Sequence, residues 1–400
     1  MIDILQDWLS LFLRWAHIVA AIGWIGSSFY FMWLDATLKR RETMDPGIKG
    51  ENWSVHGGGF YHTQKYLVAP AHMPDDLHWF KWESYMTWLT GFCLLAVVYY
   101  WGASAYMIDP RVADIAPWVA VLLSLAGLAG GWLFYDVLCR SRLRDRPTAM
   151  FAVLFAAIVA AAWAYGFVFS GRATFIQVGA MIATIMTANV AMIIIPNQRI
   201  VVADLKAGRT PDAEYGRIAK LRSTHNNYLT LPVIFLMISN HYPMTFGHAW
   251  NWVVVAFALV LGAVVRNWFN TWEAGGTGLR VAWQWPAAAA TAAGLALFVS
   301  WPTASGADPR FAAAAVTTPD ALAIVEQRCA SCHAESPTQT GFAAPPAGIR
   351  LDTAEELKRH AQQVLLQSVK TNAMPIGNLT GMTDEERARL GAWIAAGMPD

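Results

Sequence analysis

Apolar residues along this chain come in long unbroken runs, not in the short alternating or helical-period patterns of a water-soluble core. Eight of these runs are long enough to cross a hydrocarbon layer as helices: about Trp8–Leu34, Tyr85–Gly102, Ile115–Leu138, Ala149–Phe169, Phe175–Ile195, Tyr228–Phe246, Ala249–Phe269 and Val281–Trp301. Aromatic residues gather at many of their ends, as rings that settle at a membrane surface do. Beyond Trp301 the pattern changes. Residues Pro302–Thr318 are rich in Ala, Pro and Thr and read as a linker, and the residues from 319 to 400 have the mixed polarity of a small soluble unit. The pattern predicts an all-α protein: a polytopic eight-helix transmembrane bundle over residues 1–302, a linker over 303–318 and a separate C-terminal domain over 319–400.

Composition supports the membrane reading. The chain is 56% hydrophobic, only 14% charged, and carries 20 Trp, far more than an ordinary soluble domain. A net charge of +1 gives no electrostatic reason to expect a nucleic-acid partner, so the lipid bilayer is the expected large-scale environment. The first run is too long for a cleavable signal peptide and lacks a basic leading segment, so it is read as a true helix. Gly127 and Gly131, four apart in the third run, permit a close helix contact. Cys93 and Cys139 stand alone inside apolar runs and suggest no disulfide framework.

Loop charges orient the bundle. Lys39, Arg40 and Arg41 follow the first run, Arg140, Arg142, Arg144 and Arg146 follow the third, and Arg199, Lys206, Arg209, Arg217, Lys220 and Arg222 follow the fifth. The alternate loops are nearly bare. Positive-inside charge then places both termini outside the cytoplasm, which in a bacterial inner membrane means the periplasm.

A motif near the C-terminus agrees with that orientation. Cys329-Ala330-Ser331-Cys332-His333 is the C-x-x-C-H attachment signature of a c-type haem, with two thiols for the vinyl groups and an adjacent imidazole for the iron. Such haem is attached on the periplasmic side. Met374, before Pro375 and so expected in an extended or turn segment, is the best-placed candidate for second axial ligand, with Met382 and Met398 as competitors. Thr383-Asp384-Glu385-Glu386 reads as an N-cap with acids in the first turn, opening a last helix through Trp393. Residues 319–400 thus read as a small class-I cytochrome c domain with haem c iron held by His333 and Met374.

Polar residues inside membrane helices are expensive and point to function. In the first run His17, Trp24, Ser28, Phe31 and Asp35 form one helical stripe. His17, paired with His241, is a candidate axial ligand of a haem b; the alternative is a core imidazole hydrogen-bonded to a carbonyl or hydroxyl. A richer set lies at the cytoplasmic ends: His225, Asn226 and Asn227, then Arg266, Asn267, Asn270 and Glu273. Amides present donor and acceptor together and Arg supplies fixed donors, a combination that suits a planar anionic heterocycle; helix capping and loop charge are the alternative. The loop after the first run holds His56, His62, His72, His78 and three successive glycines among many aromatics, so it is expected to fold back onto the bundle.

With these residues assembled, the chain resembles the bacterial membrane-bound urate oxidases (urate hydroxylases). The strings that carry the resemblance are HGGGFYHTQKYLVAP, LHWFKWESYMTWLTG, HNNYLTLPVIFLMISNHYP, CASCH and NAMPIGNLTGMT, and it extends over essentially the whole length. The resemblance implies oxidation of urate with water to 5-hydroxyisourate, with electrons passed to haem c and on to a soluble or membrane cytochrome c or a terminal oxidase of the respiratory chain, without hydrogen peroxide. It supplies no catalytic residues beyond the haem ligands. The residues themselves suggest Arg266 as the clamp on the urate anion, Asn226, Asn227 or Asn267 as readers of its amide edges, and His225 or His62 as the base. Two other readings compete. Trp15-Ala16-His17 followed by Trp24-Ile25-Gly26 is similar to a pattern of small membrane haem proteins such as the haem-pathway protoporphyrinogen oxidases, and a permease tethered to a cytochrome would share the same outline.

Overall fold

The computed structural model describes residues 2–70, 72–301 and 316–400. Most of the expected linker, 303–318, falls outside the described residues. The long first run forms α1 (Ile2–Thr37), and a hairpin of β1 (Ile48–His56) and β2 (Gly59–Tyr66) follows. Then come α2 (Trp82–Leu95), extended by a π-helical stretch Ala96–Tyr100, and the short α3 (Ala103–Tyr106). The body continues with α4 (Pro117–Arg140), α5 (Pro147–Tyr165), α6 (Gly171–Ala188), α7 (Ile195–Lys206) and α8 (Ala213–Ile238). It closes with α9 (Pro243–Phe246), α10 (Asn251–Glu273), α11 (Leu279–Ala282) and α12 (Gln284–Ser300). The C-terminal domain holds α13 (Thr318–Arg328), α14 (Ala330–His333), α15 (Ala354–Arg359), α16 (Ala361–Val364) and α17 (Asp384–Ala395).

Among the described residues, five helical stretches are long and apolar enough to span a membrane: Ile4–Thr37, Pro117–Arg140, Pro147–Tyr165, Gly171–Lys206 and Asn251–Glu273. The other three apolar runs meet the requirement less cleanly. The run from Tyr85 ends in π-helical turns and breaks at Gly102, the run from Tyr228 is the apolar half of a helix that begins with polar residues at Ala213, and α12 has 17 residues. The stretch Gly171–Lys206 is the axis of the bundle: 56% of its most apolar window is buried, against none of the corresponding window of α1. α1 lies on the outside with Trp15, Ile18 and Ile22 exposed, as a lipid-facing helix would have them.

The chain is predominantly helical, as expected of an all-α fold, with one local departure. The glycine-rich loop forms an antiparallel hairpin in which His56 pairs with Gly59 across Gly57 and Gly58, both at positive φ. Two left-handed residues are what a tight hairpin turn needs, and glycine adopts them without strain. The hairpin folds back onto the end of α1, where Asn52 donates to Thr37 Oγ1 at 3.0 Å and Lys65 pairs with Asp35. A second departure concerns the fifth apolar run, which ends at Ile195 just before Pro196. The chain runs on as helix to Lys206, because the π-helical stretch Asn189–Ile194 widens the turn just before the proline.

Close packing depends on a few glycines. Gly127 sits under the Tyr165 ring of α5 and Gly131 against Met181 of α6, so the two serve different neighbours. A Cβ on Gly262 of α10 would lie 2.5 Å from Pro232 Cδ of α8, so glycine lets α8 and α10 approach closely one turn from Arg266.

Arg and Lys of the charged loops gather at one end of the bundle, joined by Arg144–Glu214 at 3.1 Å and Arg217–Asp145 at 2.9 Å. The C-terminal domain sits at the other end, against α3 and α9. Its own core contains Val325, Leu357, Leu390 and Trp393, and Thr383 caps α17 through a reciprocal hydrogen bond with Glu386, as the sequence leads one to expect.

Candidate functional site

Residues 225–228 are consecutive on α8 and go nearly once round the helix, so they divide between its faces, although His225 and Tyr228 both pack on the Phe151 ring. Asn227 and Tyr228 face α10. Asn270 donates to Asn227 Oδ1 at 3.1 Å, and Tyr228 donates to Asn267 Oδ1 at 2.9 Å. Between them lies Arg266, fully buried, its guanidinium 3.9 Å from the Phe29 ring of α1. None of its three side-chain nitrogens has a hydrogen-bond partner, and neither has Asn227 Nδ2, Asn270 Oδ1, Glu273 Oε2 or Gln284 Oε1. A buried polar group without a partner costs about 1–3 kcal/mol, more when charged. Arg266, Asn227 and Asn270 thus leave unpartnered polar atoms where α8 meets α10, while Glu273 stands two turns further along α10 and Gln284 beside Thr271.

His225 and Asn226 face the opposite way, toward α4 and α6. His225 Nδ1 meets Tyr135 Oη at 2.8 Å, and Asn189 Nδ2 donates to Tyr135 Oη at 3.0 Å and to Asn226 Oδ1 at 2.9 Å. Arg222 donates to Asn189 Oδ1 at 3.2 Å and to Asp136 at 2.6 Å, with its guanidinium over the Tyr135 ring. This network is buried and almost fully partnered, so it rigidifies the crossing of α4, α6 and α8. His225 is therefore not one of the groups gathered around Arg266.

The other candidate histidines are dispersed. His62 stacks on Trp53 at 4.2 Å and pairs with Glu51 at 2.6 Å on the hairpin, away from both buried clusters. His17 packs against Gly91 of α2, with its Nδ1 3.0 Å from the Thr87 carbonyl oxygen. His241 is exposed beside Asn240, whose Oδ1 accepts from Tyr99 at 3.3 Å. Tyr99 lies eight residues beyond Gly91 on the same helix, or about 12 Å along its axis. The two histidines stand at different levels and cannot flank one iron, so this pair does not fit a haem b. Among the described residues no group of three or more His, Cys, Asp or Glu could hold a metal ion, and the loop histidines do not converge.

In the C-terminal domain Cys329, Cys332, His333 and Met374 line one cleft of about 320 Å³, walled by Phe342, Leu351 and Val364. His333 Nδ1 lies 2.9 Å from the Ile349 carbonyl oxygen, which leaves Nε2 as the coordinating nitrogen. Met374 sits in an irregular segment whose carbonyl accepts from the buried Arg387 at 2.6 Å; Arg387 also donates to Asn378 Oδ1 and the Ser368 carbonyl. Burial pushes the Cys329 thiol up to about 12, opposite to the lowered value a redox C-x-x-C pair needs. Two thiols, a free imidazole nitrogen and a thioether around one apolar cleft fit a covalently attached haem.

One family model matches the chain, that of the urate oxidase N-terminal domain, over residues 3–300. The chain belongs to that family. It is a urate-related oxidoreductase, and the match ends where the bundle ends. No curated protein and no solved structure matches it.

For this urate oxidase relative, the sequence pointed to Arg266, Asn227, Asn267, Asn270 and Glu273, which the structure brings together. It missed Gln284, which only its place at the start of an alanine-rich helix could have flagged. It also missed Tyr135, Asp136 and Asn189 and read Arg222 only as a loop charge, although polarity inside or beside apolar runs was the available signal.

Proposed function

We propose that this protein is a bacterial inner-membrane enzyme, with both termini periplasmic, that oxidises urate with water to 5-hydroxyisourate. Its electrons pass to the respiratory chain through a haem c held by Cys329, Cys332, His333 and Met374. The observation that carries the reading is Arg266: a buried guanidinium with three unpartnered nitrogens, in a chain of the urate oxidase N-terminal family. Urate is a planar purine anion at neutral pH. Arg266 clamps its negative edge through charge-assisted hydrogen bonds, while Asn227 Nδ2, Asn270 Oδ1 and Gln284 Oε1 meet its alternating carbonyl and N–H groups.

The reaction joins the urate anion to water and releases two electrons and one proton, giving neutral 5-hydroxyisourate. A proton acceptor is therefore needed next to the bound anion. Because His225 is held by Tyr135 and His62 lies on the hairpin, Glu273 takes that role, two turns along α10 on the same face as Arg266 and with Oε2 unpartnered. The haem supplies one-electron acceptance at the periplasmic end. Arg266 is fifteen residues along α10 from Asn251, about 22 Å at 1.5 Å per residue, too far for one efficient electron jump. The rings of Trp88 and Phe92 on α2 and Tyr100 in its π-helical extension follow one another at 5.2 and 6.2 Å, a row of aromatic rings along that helix.

The test is anaerobic addition of urate to the purified full-length protein. Reduction of a c-type haem by urate, lost in Arg266→Met, is the expected result. Urate uptake into vesicles with no haem reduction would instead identify a permease.

A further inference from the structure

The cleft that carries Cys329, Cys332, His333 and Met374 is not built by the C-terminal domain alone. Two of its lining residues, Tyr106 at the end of α3 and Arg172 in the first turn of α6, belong to the bundle. They are joined locally: Ser170, the N-cap of α6, donates to the Tyr106 carbonyl at 3.1 Å and its backbone N–H donates to the Met107 carbonyl at 2.8 Å.

The contact is a seated one. Gly377, at φ +54°, lies so close to α3 that a Cβ there would sit 2.6 Å from the Ala105 carbonyl oxygen and 2.8 Å from that of Ile108. Gly247 after α9 is as close to Thr371, and Arg111, anchored by Asp109 at 2.6 Å, reaches the Asn372 carbonyl at 3.4 Å. The segment that carries Met374 is thus held by the bundle on one side and by Arg387 on the other.

Charge decides what the bundle brings to the cleft. Haem has two carboxylate side chains, and a cleft that holds them needs cations. Arg328, the domain's own arginine in this cleft, is committed to Glu386 at 2.9 Å and to the Thr380 carbonyl at 2.6 Å. Arg172 makes no ion pair among the described residues; its guanidinium lies 5.2 Å from the Phe246 ring, which restrains it without neutralising it. We propose that Arg172 is a haem-carboxylate ligand supplied by the membrane bundle, so that the haem is enclosed between the two parts of the chain. The bundle then fixes the haem edge and sets its potential as well as feeding it electrons.

This proposal rests on the haem reading of the cleft, and its test separates the two. The full-length protein, wild type and Arg172→Gln, is purified, covalent haem is quantified by its pyridine haemochrome, and the midpoint potential is measured by spectroelectrochemical titration. Removing a positive charge beside a carboxylate favours the ferric state, so Arg172→Gln is expected to shift the reduction equilibrium about tenfold toward ferric, or 59 mV for one electron. Arg209→Gln, an exposed arginine paired with Asp204 at the other end, is expected to leave the potential unchanged. Arg172→His makes the comparison within one preparation: its potential should fall as pH rises through the imidazole range near 6.5. Wild-type protein without covalent haem refutes the haem reading itself. Full haem content with wild-type potentials in Arg172→Gln and no added pH dependence in Arg172→His overturns the role of Arg172 alone.

Discussion

Replacing Arg266 by Met separates a binding group from a structural one, because the two roles predict opposite signs for stability. In the substrate-free protein the guanidinium is fully buried and its three nitrogens have no partners. At the low end of about 1 kcal/mol for each unsatisfied group, that is a cost of about 3 kcal/mol. The contact with the Phe29 ring at 3.9 Å returns about 1–2 kcal/mol. Met fills much the same volume without the polar atoms, so Arg266→Met should leave the free protein as stable as wild type or about 1–2 kcal/mol more stable. Binding should move the other way. Two charge-assisted hydrogen bonds to the urate anion are worth about 3–6 kcal/mol together, which is on the order of a 10²- to 10⁴-fold loss of affinity. Urate affinity is read by equilibrium binding to detergent-solubilised protein and stability by thermal unfolding of the same samples. A variant that loses both stability and affinity would show Arg266 to be a structural residue and remove it from the binding site.

The acid–base assignment predicts that Glu273→Gln lowers urate oxidation at least about 100-fold while His62→Ala stays within about twofold of wild type, measured as steady-state turnover with an artificial acceptor. The reverse ranking restores the hairpin histidine. At Glu386 burial raises the carboxyl pKa, but the ion pair with Arg328 and the hydrogen bonds from Thr383 outweigh it and the net shift is downward. A lowered folded-state value adds stability that is complete above the unfolded value near 4.3 and disappears as pH falls through the folded value. The C-terminal domain should therefore weaken below about pH 4, and Glu386→Gln should lose about 1–3 kcal/mol at pH 7 and flatten that acid limb, as followed by the haem absorption band. Gly262→Ala should cost about 1–3 kcal/mol by pushing α10 off Pro232, and should weaken urate binding because Arg266 lies one turn away; unchanged unfolding would mean that the helices adjust freely.

Much of this architecture is legible in the sequence because helices long enough to span a membrane announce themselves by length and apolarity. The C-x-x-C-H motif and the Thr383 cap are local signals that need no tertiary information. Arg266 and its amide neighbours could be named because a polar residue in an apolar run is costly. Their grouping was harder to read: the adjacent positions 225–227 looked like one site, and only the helix–helix arrangement shows that His225 turns to Tyr135 while Asn227 turns to Asn270. The His17–His241 pairing failed for a similar reason, since depth along a bundle is a tertiary property. The hairpin was hidden because its three glycines read as loop, although paired left-handed glycines are also the signature of a two-residue turn.

Whether electrons from urate reach the haem is decided by an anaerobic titration of the oxidised full-length protein with urate, followed at the c-type haem band. Full haem reduction is expected with one urate per two haems, 5-hydroxyisourate as the product, and no reduction in Arg266→Met despite normal haem content. A wild-type protein that carries covalent haem, binds urate and leaves the haem oxidised would contradict the proposed electron path from bundle to cytochrome.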